Sequence, residues 1–229
     1  MLLLALDTST AAVTVALHDG HRVIFERTER DAGHAVELLA PLVAAGLAAT
    51  GTDRTDLTAV TCGVGPGPFT ALRVGLMTAG TLAHSLGIPA YGVCSLDVLA
   101  AGAVREGTSP PGEFLVATDA RRREVYWARY AGEGSRVAGP AVGRAADVPH
   151  AGLPVVGFGA VLYPEALGPP VEPLEPSAAD LAELTVRALT VQAPTGPALA
   201  GDTGLLPLRP LYLRRPDAVV PGARKRVLP

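Results

Sequence analysis

The sequence has one lysine, Lys225, and takes every other base from arginine. It has two cysteines, Cys62 and Cys94, each in an apolar strand-like run. Neither has a second Cys or a His at ligand spacing, which predicts buried, reduced thiols and no metal or catalytic role. His34, His84 and His150 are scattered and form neither HxxxH nor HExxH, so no metal site is expected. The GK[ST] ending of a P-loop and the GxSxG setting of a hydrolase serine are both missing. No stretch reaches the ~18 apolar residues of a membrane span. The opening "MLLLALDTST" lacks a basic flank and meets Asp7 too early for a signal peptide. These absences predict a cytoplasmic chain that does not engage a membrane.

Apolar residues make up 48% of the 229 positions and charged residues 18%, enough for a sizeable core in one large domain or two small lobes. The net charge of −3 is unevenly spread. From Arg209 onward six bases face one acid, a net of +5, which leaves −8 on the remainder. Such a tail is either a solvated segment or a nucleic-acid contact.

The chain opens as strand, turn, strand: Leu2 to Leu6 is apolar, "DTST" turns, and Val13, Val15 and Leu17 alternate. "HDG" at 18–20 is a second turn, and a third strand follows from Arg22 to Thr28. The plan returns 112 residues later, where "LVATDARRREVYWARY" overlays "LLALDTSTAAVTVALH" with Asp7 on Asp119 and Val13 on Val125. Two lobes of one design are predicted, residues 1–104 and 105–229. The boundary lies in "REGTSPPGE" at 105–113, and the C-terminal segment is free to return to the first lobe. Helices are predicted at 34–49, with Gly51 as a stop, at 71–86, and at 177–191, capped by Ser177 with Asp180 at the acidic box position. Alternating strands and helices make the class α/β.

Two helices carry too little polar surface. Between His34 and Ala49 only His34 and Glu37 are polar, so this helix is expected to be covered on more than one side, with Pro41 kinking it or marking a late start. The helix at 71–86 sets Gly75, Ala79 and Ala83 in one row, with Arg73 and His84 among its few polar members. That row suits close approach of another helix, either inside the lobe or from a partner protein.

Between strand and helix lies "GVGPGPFTALRVG", 63–75. A phosphate cradle aims backbone N–H groups at the anion, and Pro66 and Pro68 have none. Gly65 and Gly67 give a tight turn its freedom, and Pro68 suits the first helical position. The stretch therefore reads as a rigid elbow. Asp7 and Asp119 end strands and could hold Mg²⁺ or orient a phosphate, or accept hydrogen bonds from their own turns. Ser9 and Arg121 stand where a kinase-type loop carries glycine, which counts against a kinase.

Taken together, "LLALDTST", "HAVELLAPLV", "GPGPFTALRVG", "DARRREVYWARY" and "PLYLRRPDA" resemble the bacterial TsaB (YeaZ) family, whose corresponding signatures read GPGSFTGLRIG and DARMGEVYWA. The resemblance runs from residue 2 to about 218. It implies the two-lobed actin-like ATPase fold (the ASKHA, RNase H-like class), each lobe a mixed sheet with flanking helices. It implies a pseudoenzyme: a non-catalytic scaffold needed for N6-threonylcarbamoyladenosine in tRNA, which binds and activates the catalytic paralogue TsaD together with the ATPase TsaE. The chain would form a homodimer when alone, and would meet tRNA only through the complex. ATP or ADP and metal would sit on the partners, with no cofactor on this chain.

The partner interface implied is His34, Glu37, Leu38, Leu42, Leu72, Gly75, Leu76, Ala79 and Ala83. The structural loop is Gly65, Pro66, Gly67, Pro68, Phe69, Thr70 and Arg73. Asp7 and Asp119 would be a vestigial nucleotide site. Arg214, Arg215, Arg224, Lys225 and Arg226 would approach tRNA. Where TsaD-like proteins carry two metal-ligating histidines, this chain has Ser95 and Leu99, which cannot replace imidazole. Pro68 and Ala71 depart from the family's Ser and Gly. The alternative reading is an independent actin-like ATPase or sugar kinase.

Overall fold

The computed structural model of the chain describes residues 1–30, 34–191 and 204–214. Its opening is the predicted strand, turn, strand. β1 (Leu3–Asp7) pairs antiparallel with β2 (Ala12–His18), and β2 pairs antiparallel with β3 (Val23–Arg30). α1 (Ala35–Thr50) carries the chain over to β4 (Ala59–Gly63), parallel to β1, and α2 (Phe69–Leu86) carries it to β5 (Ala90–Val93), parallel to β4. After α3 (Ser95–Glu106) the plan repeats. β6 (Phe114–Asp119), β7 (Glu124–Tyr130) and β8 (Arg136–Arg144) form an antiparallel meander. β9 (Val155–Val156) then lies parallel to β6, and β10 (Pro170–Val171) parallel to β9, joined through α4 (Phe158–Leu162) and α5 (Pro164–Leu167).

The strand orders are β3-β2-β1-β4-β5 and β8-β7-β6-β9-β10, three antiparallel strands followed by two parallel ones in each sheet. This is the duplicated arrangement expected from the 112-residue repeat. The stretch "VVGFGAVLYP" is β9 running straight into α4.

Burial explains the composition of each element. β1 and β2 are buried along their whole length, so they show little polar alternation. Leu4 and Leu6 meet Leu39 and Leu42 of α1 and Leu72 of α2 on one face, while Leu3 and Ala5 meet Leu181 and Ala182 of α6 (Ala178–Val191) on the other. The placement of α6 corrects the lobe assignment: residues 178–191, counted in the second lobe, cover the first sheet. Thr185 pairs its hydroxyl with Thr61 at 2.8 Å, and the buried His18 ring meets Glu183 at 3.3 Å. Ser177 caps α6 as predicted, its Oγ accepting from the N–H groups of Ala179 and Asp180. The Asp180 carboxylate bonds Arg105 of α3 at 2.5 Å and does not close a capping box.

α3 is a keel between the two sheets. Val98 packs towards the first sheet, and Leu96, Leu99, Ala100 and Ala103 pack with Phe114, Val116 and Tyr130 of the second. The Tyr130 hydroxyl donates to Asp97 of α3 at 2.7 Å. α1 runs unbroken through Pro41, an exposed position, and ends at Gly51 in the left-handed conformation, φ 65°.

Candidate functional site

Asp7 ends β1 and is wholly buried. Its Oδ1 accepts from the Ser9 N–H at 2.6 Å and its Oδ2 from the Ser95 hydroxyl at 2.7 Å. Ser95 Oγ accepts from the Gly65 N–H at 3.2 Å, and the Ser95 N–H donates to the Gly65 carbonyl at 2.9 Å. One carboxylate therefore ties together the β1 turn, the 63–68 loop and the start of α3. It faces no solvent. Asp119, its counterpart in the second lobe, accepts from the Arg121 N–H at 2.7 Å and pairs with the Arg121 guanidinium at 3.3 Å. Both aspartates serve their own turns here. Ser95 is part of this tie and Leu99 is a core residue. Among the described residues no group of three or more His, Cys, Asp or Glu is placed to hold a metal ion.

Burial lifts the Asp7 carboxyl above its ordinary 3.8, against the opposing pull of the Ser9 and Ser95 hydrogen bonds. The folded chain then holds this proton more tightly than the unfolded chain does. The contribution of Asp7 to stability is fully present below the unfolded value and is lost as pH rises through the raised folded one. Asp7→Asn removes that loss. Calorimetric melting across the acid and neutral range should show the variant overtaking the parent as pH rises, with the gap closing in acid. A gap independent of pH would mean that ionisation of Asp7 costs the fold nothing.

The 63–68 loop uses its backbone internally. The Val64 N–H donates to the Val93 carbonyl and the Gly65 N–H to Ser95, and Gly63 through Gly67 are buried. Pro68 is not the first helical residue: it is the N-cap of α2, with φ −59° and ψ 130°, and its carbonyl accepts from Leu72 at 2.9 Å. Phe69, the first helical residue, is exposed, as is Thr70 beside it.

Phe69 stacks on Tyr212 with ring centroids 5.2 Å apart, and the Arg73 guanidinium lies 3.8 Å over the Phe69 ring while its Nε donates to the Tyr212 hydroxyl at 3.0 Å. These contacts fasten a C-terminal strap, residues 204–214, onto α2. Upstream, Leu206 exchanges backbone hydrogen bonds with Gly92 of β5 at 2.7 and 2.8 Å, and the Leu211 N–H donates to Val64. The strap ends on the second lobe, where Arg214 donates to the Ala120 carbonyl at 3.0 Å and pairs with Glu124. Arg215, Arg224, Lys225 and Arg226 lie outside the described residues.

The structure divides the expected interface residues in two. Leu42, Leu72, Gly75, Ala79 and Ala83 are buried in the chain's own core, and Leu76, 7% exposed, lines the groove on the outward side of α2 described below. The Gly75–Ala79–Ala83 row faces the first sheet: a Cβ on Gly75 would come within 2.5 Å of Thr8 Oγ1. A small-residue row serves helix-on-sheet packing as well as helix-on-helix packing, and spacing alone does not separate the two. His34 and Glu37 are exposed and Leu38 is half-buried.

The outward face of α2 carries different residues. Met77 is 67% exposed, and with Arg73, His84, Leu208, Pro210 and Tyr212 it lines a mainly apolar groove of about 670 Å³ between helix and strap. Val36, 64% exposed, adds an apolar position on the neighbouring α1. Sequence reasoning missed Met77 and Tyr212. The available signal was the "PLYLRRPDA" segment, which carries Tyr212.

Comparison with known proteins matches this architecture closely. A family model described as TsaD: tRNA N6-adenosine threonylcarbamoyltransferase matches residues 28–159. An uncharacterized protein of Mycobacterium tuberculosis is 47% identical over 94% of this chain and 92% of its own length. The Escherichia coli tRNA threonylcarbamoyladenosine biosynthesis protein TsaB is 42% identical over 57% of this chain and 55% of its own. Among solved structures, a Pseudomonas aeruginosa protein described as similar to peptidase YEAZ superposes with a TM-score of 0.75 at 31% identity, covering 93% of this chain and 99% of the other. YeaZ from Pseudomonas aeruginosa gives 0.72 at 33% identity, covering 83% and 92%. Shared identity at this level, sustained over nearly whole chains with the same two-sheet fold, places the chain in the TsaB (YeaZ) family.

Proposed function

We propose that the chain is the docking subunit of an assembly that makes N6-threonylcarbamoyladenosine in tRNA, and that it performs no chemistry itself. It would bind and activate a TsaD-like catalytic paralogue together with a TsaE-like ATPase. ATP or ADP and metal would sit on those partners. Alone, it would pair with a second copy through the same face. It would meet tRNA within the complex, with Arg214, Arg215, Arg224, Lys225 and Arg226 near the phosphates. It would work in the cytoplasm, and among the described residues no helix is long and apolar enough to cross a membrane.

The observation that carries this reading is the apolar groove on the outward face of α2, continued by Tyr212 and Leu208 of the strap. An exposed apolar surface of this kind, edged by Arg73 and His84, has the anatomy of a protein contact. The alternative of an independent ATPase would use Asp7 and Asp119: Asp7 is wholly buried, and the carboxylate of Asp119 is engaged by the Arg121 N–H and guanidinium.

Co-expression with a TsaD-like protein tests the proposal. The expected outcome is a stable co-purifying pair, together with loss of threonylcarbamoyladenosine from the tRNA of cells depleted of this chain. A lone monomer that binds Mg·ATP at micromolar concentration and turns it over would overturn it in favour of the ATPase.

A further inference from the structure

One wall of the groove on α2 is made by residues that belong to no helix or strand. Leu208, Pro210 and Tyr212 of the strap form it, while Leu211 and Leu213 pack on the cores of the chain. Among the described residues, the strap backbone from 206 to 214 is hydrogen-bonded to the rest of the chain by Leu206 with Gly92 and by Leu211 with Val64. A segment held by few backbone bonds opens locally at low cost. Its side-chain anchors therefore decide how firmly the wall stands.

Two anchors hold its far end. Inside the groove, Tyr212 stacks on Phe69 and accepts from Arg73 Nε at 3.0 Å. Outside it, Arg214 crosses to the second lobe. Its Nη1 donates to the Ala120 carbonyl at 3.0 Å, and its Nη2 meets the Glu124 carboxylate. Both sides of this ion pair are half-buried, so salt screens it less than a pair on the open surface. The two acceptors are already tied to each other, because the Ala120 N–H donates to the Glu124 carbonyl at 3.0 Å. Ala120, Glu124 and Arg214 do not line the groove.

We infer that Arg214 is a positioning residue for the docking groove. By fixing the end of the strap to the β6–β7 turn, it makes the second lobe a support of the docking face on the first. The inference deepens the docking reading and rests on it. The physical basis is preorganisation: a groove whose wall stands in place for only a fraction of the time has its affinity reduced by that fraction. Such coupling is reciprocal, so a partner that holds the strap also steadies the turn. Phosphate contact does not require this task, and the two have opposite consequences at Glu124. Neutralising that acid releases the strap, whereas it would leave the guanidinium more available to a phosphate.

The test measures binding of the full-length chain to a purified TsaD-like protein, with hydrogen exchange recorded on the free and bound chain. Arg214→Ala and Glu124→Gln should each weaken binding about tenfold, the scale of a lost charge-assisted hydrogen bond. Arg214→Lys keeps the charge without the fork and should fall between parent and Arg214→Ala. In free Arg214→Ala the Leu206 and Leu211 amides should exchange faster, while β1 and α3 exchange as in the parent, so the fold is kept. In the parent, saturating partner should slow exchange at the Ala120 and Glu124 amides, and in Arg214→Ala it should not. Unchanged affinity in both variants would overturn the inference while leaving the docking reading to Met77→Glu, which lies inside the groove. Faster exchange throughout Arg214→Ala would overturn it by making Arg214 a support of the whole fold. Tighter tRNA binding by Glu124→Gln in the complex, with partner affinity unchanged, would assign Arg214 to the phosphates instead. A parent chain that does not bind the partner would sink the docking reading and this inference with it.

Discussion

If the proposed docking role holds, Met77→Glu is expected to abolish co-purification with a TsaD-like protein and to remove threonylcarbamoyladenosine from tRNA, while leaving the fold intact. Met77 is 67% exposed on the outward face of α2, so the substitution touches little in the free chain, and its melting temperature should stay within about 2 °C of the parent. In a complex the same position would bury a methionine, for which about 1.5 to 3 kcal/mol of transfer free energy is typical. An unpaired carboxylate there costs several kcal/mol more, so a weakening of roughly 100-fold or greater follows. Ala79→Glu is the contrasting case. Ala79 has no exposed surface and packs against the first sheet, so a charge there should unfold the chain and lose binding only through that route. Pulling down the partner with each purified variant, alongside a melting curve, distinguishes the two. A Met77→Glu chain that binds the partner as the parent does would remove the outward face of α2 from the interface.

That contrast marks what was legible in the sequence. The residues named from spacing along α2 lie on its buried side. The Gly75–Ala79–Ala83 row repeats once per turn whether it meets a sheet or a helix, and Thr8, which crowds Gly75, lies 67 residues earlier in the chain. The duplicated hairpins were legible because an apolar strand ending in an aspartate, then a turn and a second strand, is a local layout repeated at a fixed offset. α3 showed no usable stripe because it is buried between two sheets: Leu96, Val98, Leu99, Ala100 and Ala103 face different cores. The position of α6 was hidden for a related reason. Its Thr185 answers Thr61, and its N-terminus accepts support from Thr14, which lies 164 residues from Ala178. The role of Asp7 was open in the sequence between turn and ligand. The hydrogen bond that engages its Oδ2 comes from Ser95, 88 residues away, and no local pattern announces it.

Gly67→Ala is expected to destabilise the chain by about 3 kcal/mol, the upper end for forced overpacking, which in a protein of this size lowers the melting temperature by roughly 6 to 12 °C. A Cβ on Gly67 would stand 2.3 Å from the Ser9 carbonyl oxygen, 2.8 Å from its Cα and 2.9 Å from its carbonyl carbon. All three are backbone atoms, so no side-chain rotation relieves the clash. Ser9 cannot retreat cheaply, because its N–H is committed to buried Asp7 at 2.6 Å and Asp7 is held in turn by Ser95. Gly63 lies against the same carboxylate, where a Cβ would come within 1.8 Å of Oδ2. The strain would pass to the elbow, and the elbow places Phe69, whose ring carries Tyr212 and the strap. Partner binding should therefore fall together with stability in Gly67→Ala, whereas Met77→Glu loses binding alone. Gly112→Ala is the control: nothing lies within 4 Å of its would-be Cβ, and it should melt with the parent. A Gly67→Ala chain that also melts with the parent would mean that the β1 turn and the elbow separate without cost, and the tie between the Asp7 knot and the docking face would fail with it.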